Sequence, residues 1–294
     1  MTNPPHLDVD LQAKPQSSAT KFPRDIRLLV LDIDGTVAGE SNTIRPAVVE
    51  AVQAAQAKGI AVAIATGRMY CAALRFYQRL QLSLPLMAYQ GAMIKDPATG
   101  EVIRHWPVPK EVARQLLDDF EQTERAHLLS IHFYINDQLY VREVTPETHE
   151  YSKRSGVEPI AVGDLRQVLD RDPTKILALS QNTELIDYLL NSFKQQYTPA
   201  ELYFTKSVAT FFEAANPKVN KGVAVRYLAE ERLGLTAANV MAIGDNFNDV
   251  EMLHYSGLGI AMGNAPDEVK AQSDWVAPDV EADGVAIAIE KFLL

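Results

Sequence analysis

The chain has 294 residues, 47% of them hydrophobic, a formal net charge of −10 and a single cysteine, Cys71. That length suits one large domain or two ordinary ones, and the acidic balance argues against nucleic acid or an anionic membrane surface as partner. One cysteine excludes an internal disulfide, the apolar runs are strand-sized rather than membrane-spanning, and the six histidines show no HxH or HExxH spacing for zinc.

Residues 1–23 are rich in Pro, Ser, Thr, Asn and Gln, without a basic start followed by an apolar core. They read as a disordered tail rather than a secretory signal, and with the lone cysteine they point to the cytoplasm. The next segment, Leu28-Leu29-Val30-Leu31, is a continuous apolar run, as expected for a strand covered on both faces of a parallel sheet. It ends in Asp32-Ile33-Asp34-Gly35-Thr36. Two carboxylates thus lie where α/β sheets bind ligands, and Gly35 permits a tight turn that presents amides to an anion. An EF-hand calcium loop fits poorly, because Gly35 directly follows the second acid and Ala38, Gly39 and Glu40 do not continue the ligand pattern.

Apolar residues at helical spacing predict a helix over Pro46 to Lys58, closed by Gly59. Ile60 to Ala65 predicts a second buried strand that ends at Thr66-Gly67-Arg68, followed by a helix from Tyr70 to Leu80. Leu86 to Tyr89 predicts a third strand, ending at Gln90-Gly91, so the opening reads β-α-β-α-β. The middle of the chain changes character. Strands are expected over Glu101 to Val108, Ser130 to Ile135, Gln138 to Glu143, Lys175 to Ser180 and near Leu202 to Thr205. Asn136-Asp137 makes a hairpin turn, and helices fit Lys110 to Thr123 and Glu184 to Gln196. From Lys221 the α/β alternation returns: a helix over Gly222 to Arg232, then strand Val240 to Ile243 running into Gly244-Asp245-Asn246-Phe247-Asn248-Asp249. Strand Leu258 to Met262 and a helix from about Gly284 complete the chain.

The fold class read from this order is α/β, a Rossmann-like doubly wound parallel sheet with an inserted α+β unit. Residues 24–92 and 212–294 form the expected core, and residues 93–211 the insert. Strand ends at Asp32/Asp34, Thr66 and Asp245/Asp249 converge in such a sheet, with Lys221 opening the helix before the last. Each alone has an ordinary explanation: Thr66 as a helix cap, Lys221 as a solvated lysine, Asp249 as a first-turn acid. Together, at the ends of strands in one sheet, they describe a site. No GxGxxG follows the first strand, so a nicotinamide dehydrogenase is excluded.

In this order the residues resemble the haloacid-dehalogenase-like hydrolase superfamily, in particular its Cof-like phosphatases with a large α/β cap. Motif I resembles Asp32-Ile33-Asp34-Gly35-Thr36, motif II Thr66-Gly67-Arg68, motif III Asn220-Lys221-Gly222, and motif IV Gly244 to Asp249. Gly259 to Ala265 and Asp283 to Ala286 also match this branch, whereas Gln90-Gly91-Ala92 stands where members commonly have Asn-Gly-Ala. The resemblance implies a Mg²⁺-dependent phosphatase of a small phosphorylated metabolite, a sugar phosphate foremost. It implies Asp32 as nucleophile and Asp34 as general acid and base. Gly35, Thr66, Gly67, Lys221 and Asn248 would hold phosphate, and Asp32, the Asp34 carbonyl, Asp245 and Asp249 the metal, Asp249 as ligand or as support for one. The alternatives are a phosphomutase with the same core and a non-catalytic metabolite-binding protein. The insert would set specificity, with Arg142, Arg154, His132 and Tyr134 as available groups. Monomer and dimer both remain open.

Overall fold

The computed structural model describes residues 25–294, so the expected tail over residues 1–23 lies outside the described residues. The first sheet has the strand order β14-β13-β12-β1-β2 and is parallel throughout. It comprises β1 (Leu28–Leu31), β2 (Ala61–Ile64), β12 (Val240–Gly244), β13 (Leu258–Ala261) and β14 (Trp275–Val276). Every β1 side chain is buried, with Leu29 and Leu31 in one apolar cluster and Leu28 and Val30 in another. Helices therefore cover both faces. On one side lie α1 (Pro46–Ala57), α2 (Tyr70–Arg79) and α9 (Gly284–Phe292); on the other, α6 (Lys221–Arg226) and α7 (Val250–Tyr255). A short helix, α8 (Asp267–Lys270), precedes β14. The helix expected over 222–232 is α-helical only through Arg226 and continues as a π-helical turn over Tyr227–Arg232.

Register fixes the site. Leu31 pairs with both Ile64 and Ile243, so the residues that follow these three strands emerge at one level. β3 (Leu86–Ala88) touches this sheet through a parallel bridge between Ala65 and Met87, and then pairs antiparallel with β4 (Met93–Lys95), which pairs with β5 (Val102–His105).

The second sheet, β10-β11-β9-β6-β7-β8, is antiparallel except for its β7–β8 edge. Its strands are β6 (Ser130–Ile135), β7 (Gln138–Val141), β8 (Pro159–Ala161), β9 (Lys175–Leu179), β10 (Tyr203–Thr205) and β11 (Phe211–Ala215). The β6–β7 turn is the expected one: Asn136 and Asp137 both have positive φ. α3 (Lys110–Gln122) and α5 (Thr183–Gln196) cover one face through an aromatic cluster of Phe120, Phe193 and Phe212. Strand alternation turns Lys175, Leu177 and Leu179 the other way, towards the first sheet, where Leu177 and Leu179 join its apolar cluster. α4 (Pro146–Ser155) lies on this inner side.

The expected boundaries at 92/93 and 211/212 both fall within paired ladders. Met93 pairs back with Ala88, and residue 211 begins a strand of the second sheet. The strand expected over Glu101 to Val108 is β5 and belongs with β3, because its partner β4 is the return limb of the β3 hairpin. Among the described residues, no helix is long and apolar enough to cross a membrane.

Candidate active site

Asp32 leaves β1 almost completely buried, and its Oδ1 accepts from Lys221 Nζ at 2.6 Å. Lys221 opens α6, whose N-cap Asn220 accepts from the Val223 amide at 2.8 Å, so the cap fixes where the lysine starts. The same Nζ donates to Asp249 Oδ1 at 2.5 Å. Asp249 Oδ2 accepts from the amides of Asp245 and Asn246 at 2.9 and 3.0 Å. Both Asp249 oxygens thus accept hydrogen bonds, which fix the orientation of its carboxylate. Asp245 is held more lightly, by the Thr36 hydroxyl and Asn264 Nδ2, each at 3.4 Å.

Asp32, Asp245 and Asp249 each offer a carboxylate oxygen, all within 4.8 Å of one another. Burial pushes the Asp32 carboxyl up to about 7 against the pull of Lys221, with Asp249 and Asp34 adding repulsion. Burial, then Asp32 and Asp249, push Asp245 up to about 9. Burial disfavours the Lys221 ammonium, yet Asp249 and Asp32 together hold it protonated above the ordinary lysine range. Three buried acids share one buried cation. That oxygen-only, under-neutralised donor set fits a hard divalent cation such as Mg²⁺.

Asp34 is half-buried. Burial alone would raise its carboxyl, but the Arg68 hydrogen bonds and charge, helped by Arg154, hold it below the usual carboxylate range. Arg68 grips it with two hydrogen bonds, Nε to Oδ2 at 2.7 Å and Nη2 to Oδ1 at 2.6 Å, and Arg154 Nη2 reaches Oδ1 from α4 at 3.3 Å. Two guanidiniums on one carboxylate are not evident in the sequence. Arg68 lies inside one of the motifs, whereas α4, which carries Arg154, is polar apart from Tyr151.

The amides of Gly35 and Thr66 are both taken by backbone carbonyls. The Gly35 N–H donates to Ala38 O at 2.9 Å, within its own turn. Its glycine requirement lies instead in a φ of +77° and in Asp245, whose carboxylate a Cβ there would strike. The Thr66 N–H donates to Met87 O at 2.9 Å, because β2 and β3 bridge at this level. Thr66 Oγ1 accepts from the Arg68 amide at 3.1 Å and keeps its own proton to donate. Gly67 and Asn248 both line a cavity of about 400 Å³ between the sheets, together with Asp32, Asp34, Arg68 and Asp245. From the second sheet the cavity receives Lys175 and Glu213, joined by an ion pair of 2.9 Å, and Arg154 from α4. Of the other groups available in the sequence, Arg142 pairs with Glu121 away from the cavity, and His132 and Tyr134 are buried packing residues.

Comparison with known proteins accords with this geometry. A sequence model of haloacid dehalogenase-like hydrolases matches residues 29–289. The Bacillus subtilis protein named 5-amino-6-(5-phospho-D-ribitylamino)uracil phosphatase YitU is 27% identical over 273 residues, covering 90% of this chain and 97% of its own. The Escherichia coli protein named pyridoxal phosphate phosphatase YbhA is 28% identical over 281 residues, covering 91% of this chain and 99% of its own. The crystal structure of TM0651 from Thermotoga maritima superposes with a TM-score of 0.75 at 28% identity, over 90% of this chain and 97% of that one. With the strand-end acids, their lysine and the second sheet in place, the chain belongs to the haloacid dehalogenase-like hydrolases, in their Cof-like, phosphomonoester-hydrolysing branch.

Proposed function

We propose that this protein is a Mg²⁺-dependent phosphatase of a small phosphorylated metabolite, a sugar phosphate being the first class to test, and that it works through an aspartyl-phosphate on Asp32. The observation that carries this reading is the Asp32–Lys221 contact of 2.6 Å at the floor of a cavity that Asp34 also lines. Lys221 holds one Asp32 oxygen and leaves the other to attack phosphorus. As the new O–P bond forms, the ester P–O bond breaks, and Asp34 supplies the proton that the leaving alkoxide takes. Water then attacks the phosphorus with Asp34 as base, and phosphate departs from Asp32.

In the resting arrangement Asp34 is ionised against Arg68 and Arg154, so it must loosen that grip to carry a proton. An incoming phosphoryl group competes for the same guanidiniums. The Thr66 hydroxyl, Gly67 and Asn248 receive the transferring oxygens, and Lys221 screens them from Asp32. Asp32, the Asp34 carbonyl and Asp245 would hold Mg²⁺, with Asp249 orienting the amides beneath. When bound, the metal neutralises the charge that gathers on phosphorus. The second sheet acts as the cap, and its inner face meets the leaving group.

Purified protein assayed for phosphate release against a panel of phosphorylated metabolites tests the reading. Activity is expected with Mg²⁺ or Mn²⁺, suppressed by Ca²⁺ and abolished by excess chelator. Full turnover in chelator refutes the metal role, and no release from any ester refutes the phosphatase.

A further inference from the structure

Gln90 stands between the two sheets. Its side-chain oxygen accepts from Asn248 Nδ2 at 3.1 Å, and its Nε2 donates to Glu213 Oε2 at 3.3 Å. The same Glu213 oxygen accepts from Lys175 Nζ at 2.9 Å, and that ammonium also donates to the Gly67 carbonyl at 2.9 Å. Ser207 Oγ donates to the other Glu213 oxygen. The path Gly67–Lys175–Glu213–Gln90–Asn248 is continuous. Its two ends are residues of the phosphate side, and its centre is an ion pair of the second sheet.

Several features show that this path is more than filler. Gln90, Lys175, Glu213 and Asn248 are all at most 5% exposed, so every one of these polar groups would be costly without its partner. Gln90 has a left-handed backbone, φ +61°, as does Tyr89 before it, a conformation unfavourable for residues with a Cβ. The Gln90 amide also lies directly against the phosphate loop, since a Cβ at Gly67 would sit 2.5 Å from its Nε2. Only a side chain with an acceptor and a donor at this length bridges Asn248 to Glu213. Asparagine, one methylene shorter, reaches one partner and leaves the other.

We propose that Gln90 is a positioning residue, which ties Asn248 to Glu213 and so makes the geometry of Asn248 and Gly67 depend on the Lys175–Glu213 pair of the second sheet. The inference rests on the phosphatase reading above. When the inner face of the second sheet is seated, the carbonyl of Gly67 and the amide of Asn248 are held. When it lifts, Gly67 loses Lys175 and Gln90 loses Glu213, so the Gln90 amide that holds Asn248 is no longer fixed and the phosphate side loosens. Seating of the cap is thereby conveyed to the phosphate side through hydrogen bonds rather than through bulk alone.

The test uses the full chain with Mg²⁺, 4-nitrophenyl phosphate as substrate and inorganic phosphate as product inhibitor. Gln90→Asn is expected to lower kcat by about tenfold and to raise the phosphate inhibition constant by a similar factor, the size of one buried hydrogen bond. A merely structural role would move the thermal midpoint and leave the phosphate constant alone. Glu213→Gln should reproduce the loss, and the double variant should be no worse than the poorer single variant. The phosphate-induced rise in thermal midpoint, which needs no turnover, should shrink in step. If Glu213→Gln fails to fold, Gln90→Met, of similar length but without either hydrogen bond, should lose at least as much as Gln90→Asn. Both Gln90 variants staying within about twofold of wild type, or losses that multiply in the double variant, overturn the proposal. If wild type releases phosphate and Asp32→Asn does not, those results sink this inference alone; an inert wild-type protein sinks both readings.

Discussion

The two sheets each bury a lysine among carboxylates, and they do it differently. At the ends of the first sheet, Lys221 serves Asp32 and Asp249 while Asp245 stands close by, so three acids share one cation. In the second sheet Lys175 meets Glu213 alone, with Ser207 and Gln90 supplying the remaining donors. The acids and lysines of both groups are buried, yet their protonation diverges. Burial drives Asp32 and Asp245 up to about 7 and about 9. Burial also opposes the Glu213 charge, but Lys175 and the neighbouring donors hold its carboxyl below the ordinary glutamate range. Burial therefore does not decide the outcome; the count of partners does. An excess of acid suits a place proposed to take a metal and a chemical task, whereas a balanced pair needs no further cation.

That contrast can be broken by mutation. The largest expected effect concerns Asp34, which borders the acid-rich side yet is held ionised by Arg68 and Arg154. Asp34→Asn should slow turnover of alkyl phosphates by about 10²–10⁴-fold. In single-turnover measurements a nitrophenyl ester, whose leaving group needs little protonation, should lose less in the first step. Equal first-step losses for both esters would remove Asp34 from the proton-transfer role.

Stability should then separate the two lysine sites with opposite signs. In the metal-free protein Glu213→Gln leaves Lys175 buried without a counter-charge and should cost about 3 kcal/mol in urea unfolding. Asp245→Asn removes a carboxyl whose ionisation burial and its acidic neighbours oppose, and should instead stabilise the metal-free fold, on the order of 1 to 3 kcal/mol, while destroying activity. Destabilisation by both would mean that the acid cluster is balanced without metal, and the contrast between the two lysine sites would fall.

The smallest effect is a pH dependence on the inner face of the second sheet. Burial, and next the Lys175 charge, press His132 down to about 3, and its Nε2 is 2.9 Å from Thr148 Oγ1. The folded state thus binds a proton far less readily than the unfolded chain, whose histidine titrates near ~6.5. Stability is full above that value and falls as pH descends towards about 3. Between about pH 7.5 and 5.5 the loss from this residue should be about 1 kcal/mol, and His132→Gln should flatten the slope over that interval. An unchanged slope would show that His132 does not set it.

Much of the first sheet is legible in the sequence because its physics is local. Leu28–Leu31, Ala61–Ile64 and Val240–Gly244 are apolar without interruption, as strands covered on both faces must be, and polar residues begin where each strand ends. Parallel pairing then brings Asp32, Thr66 and Asp245 to one level. What stays hidden depends on long-range register or on caps. α4 carries Arg154 but contains Tyr151 as its only large apolar residue, and it is held by the Thr145 cap and by Gly156 in the left-handed region. β11 brings Glu213, and only the β9–β11 ladder reveals that it faces Lys175. The hydrogen bond between Lys175 and Gly67 spans 108 positions of sequence. The amides of Gly35 and Thr66 escape a sequence reading for the same reason: which way an N–H points is set by the Ala38 turn and the Met87 bridge, not by residue type.

The central claim of the proposed function is that Asp32 is the nucleophile. The most direct measurement is rapid acid quench of a single turnover with a radiophosphorus-labelled monoester, followed by peptide mapping. Transient label is expected on the peptide that contains Asp32 in wild-type protein, none in Asp32→Asn, and longer-lived label in Asp34→Asn. Phosphate release at wild-type rates with no label at any time, or a labelled and active Asp32→Asn variant, would contradict it.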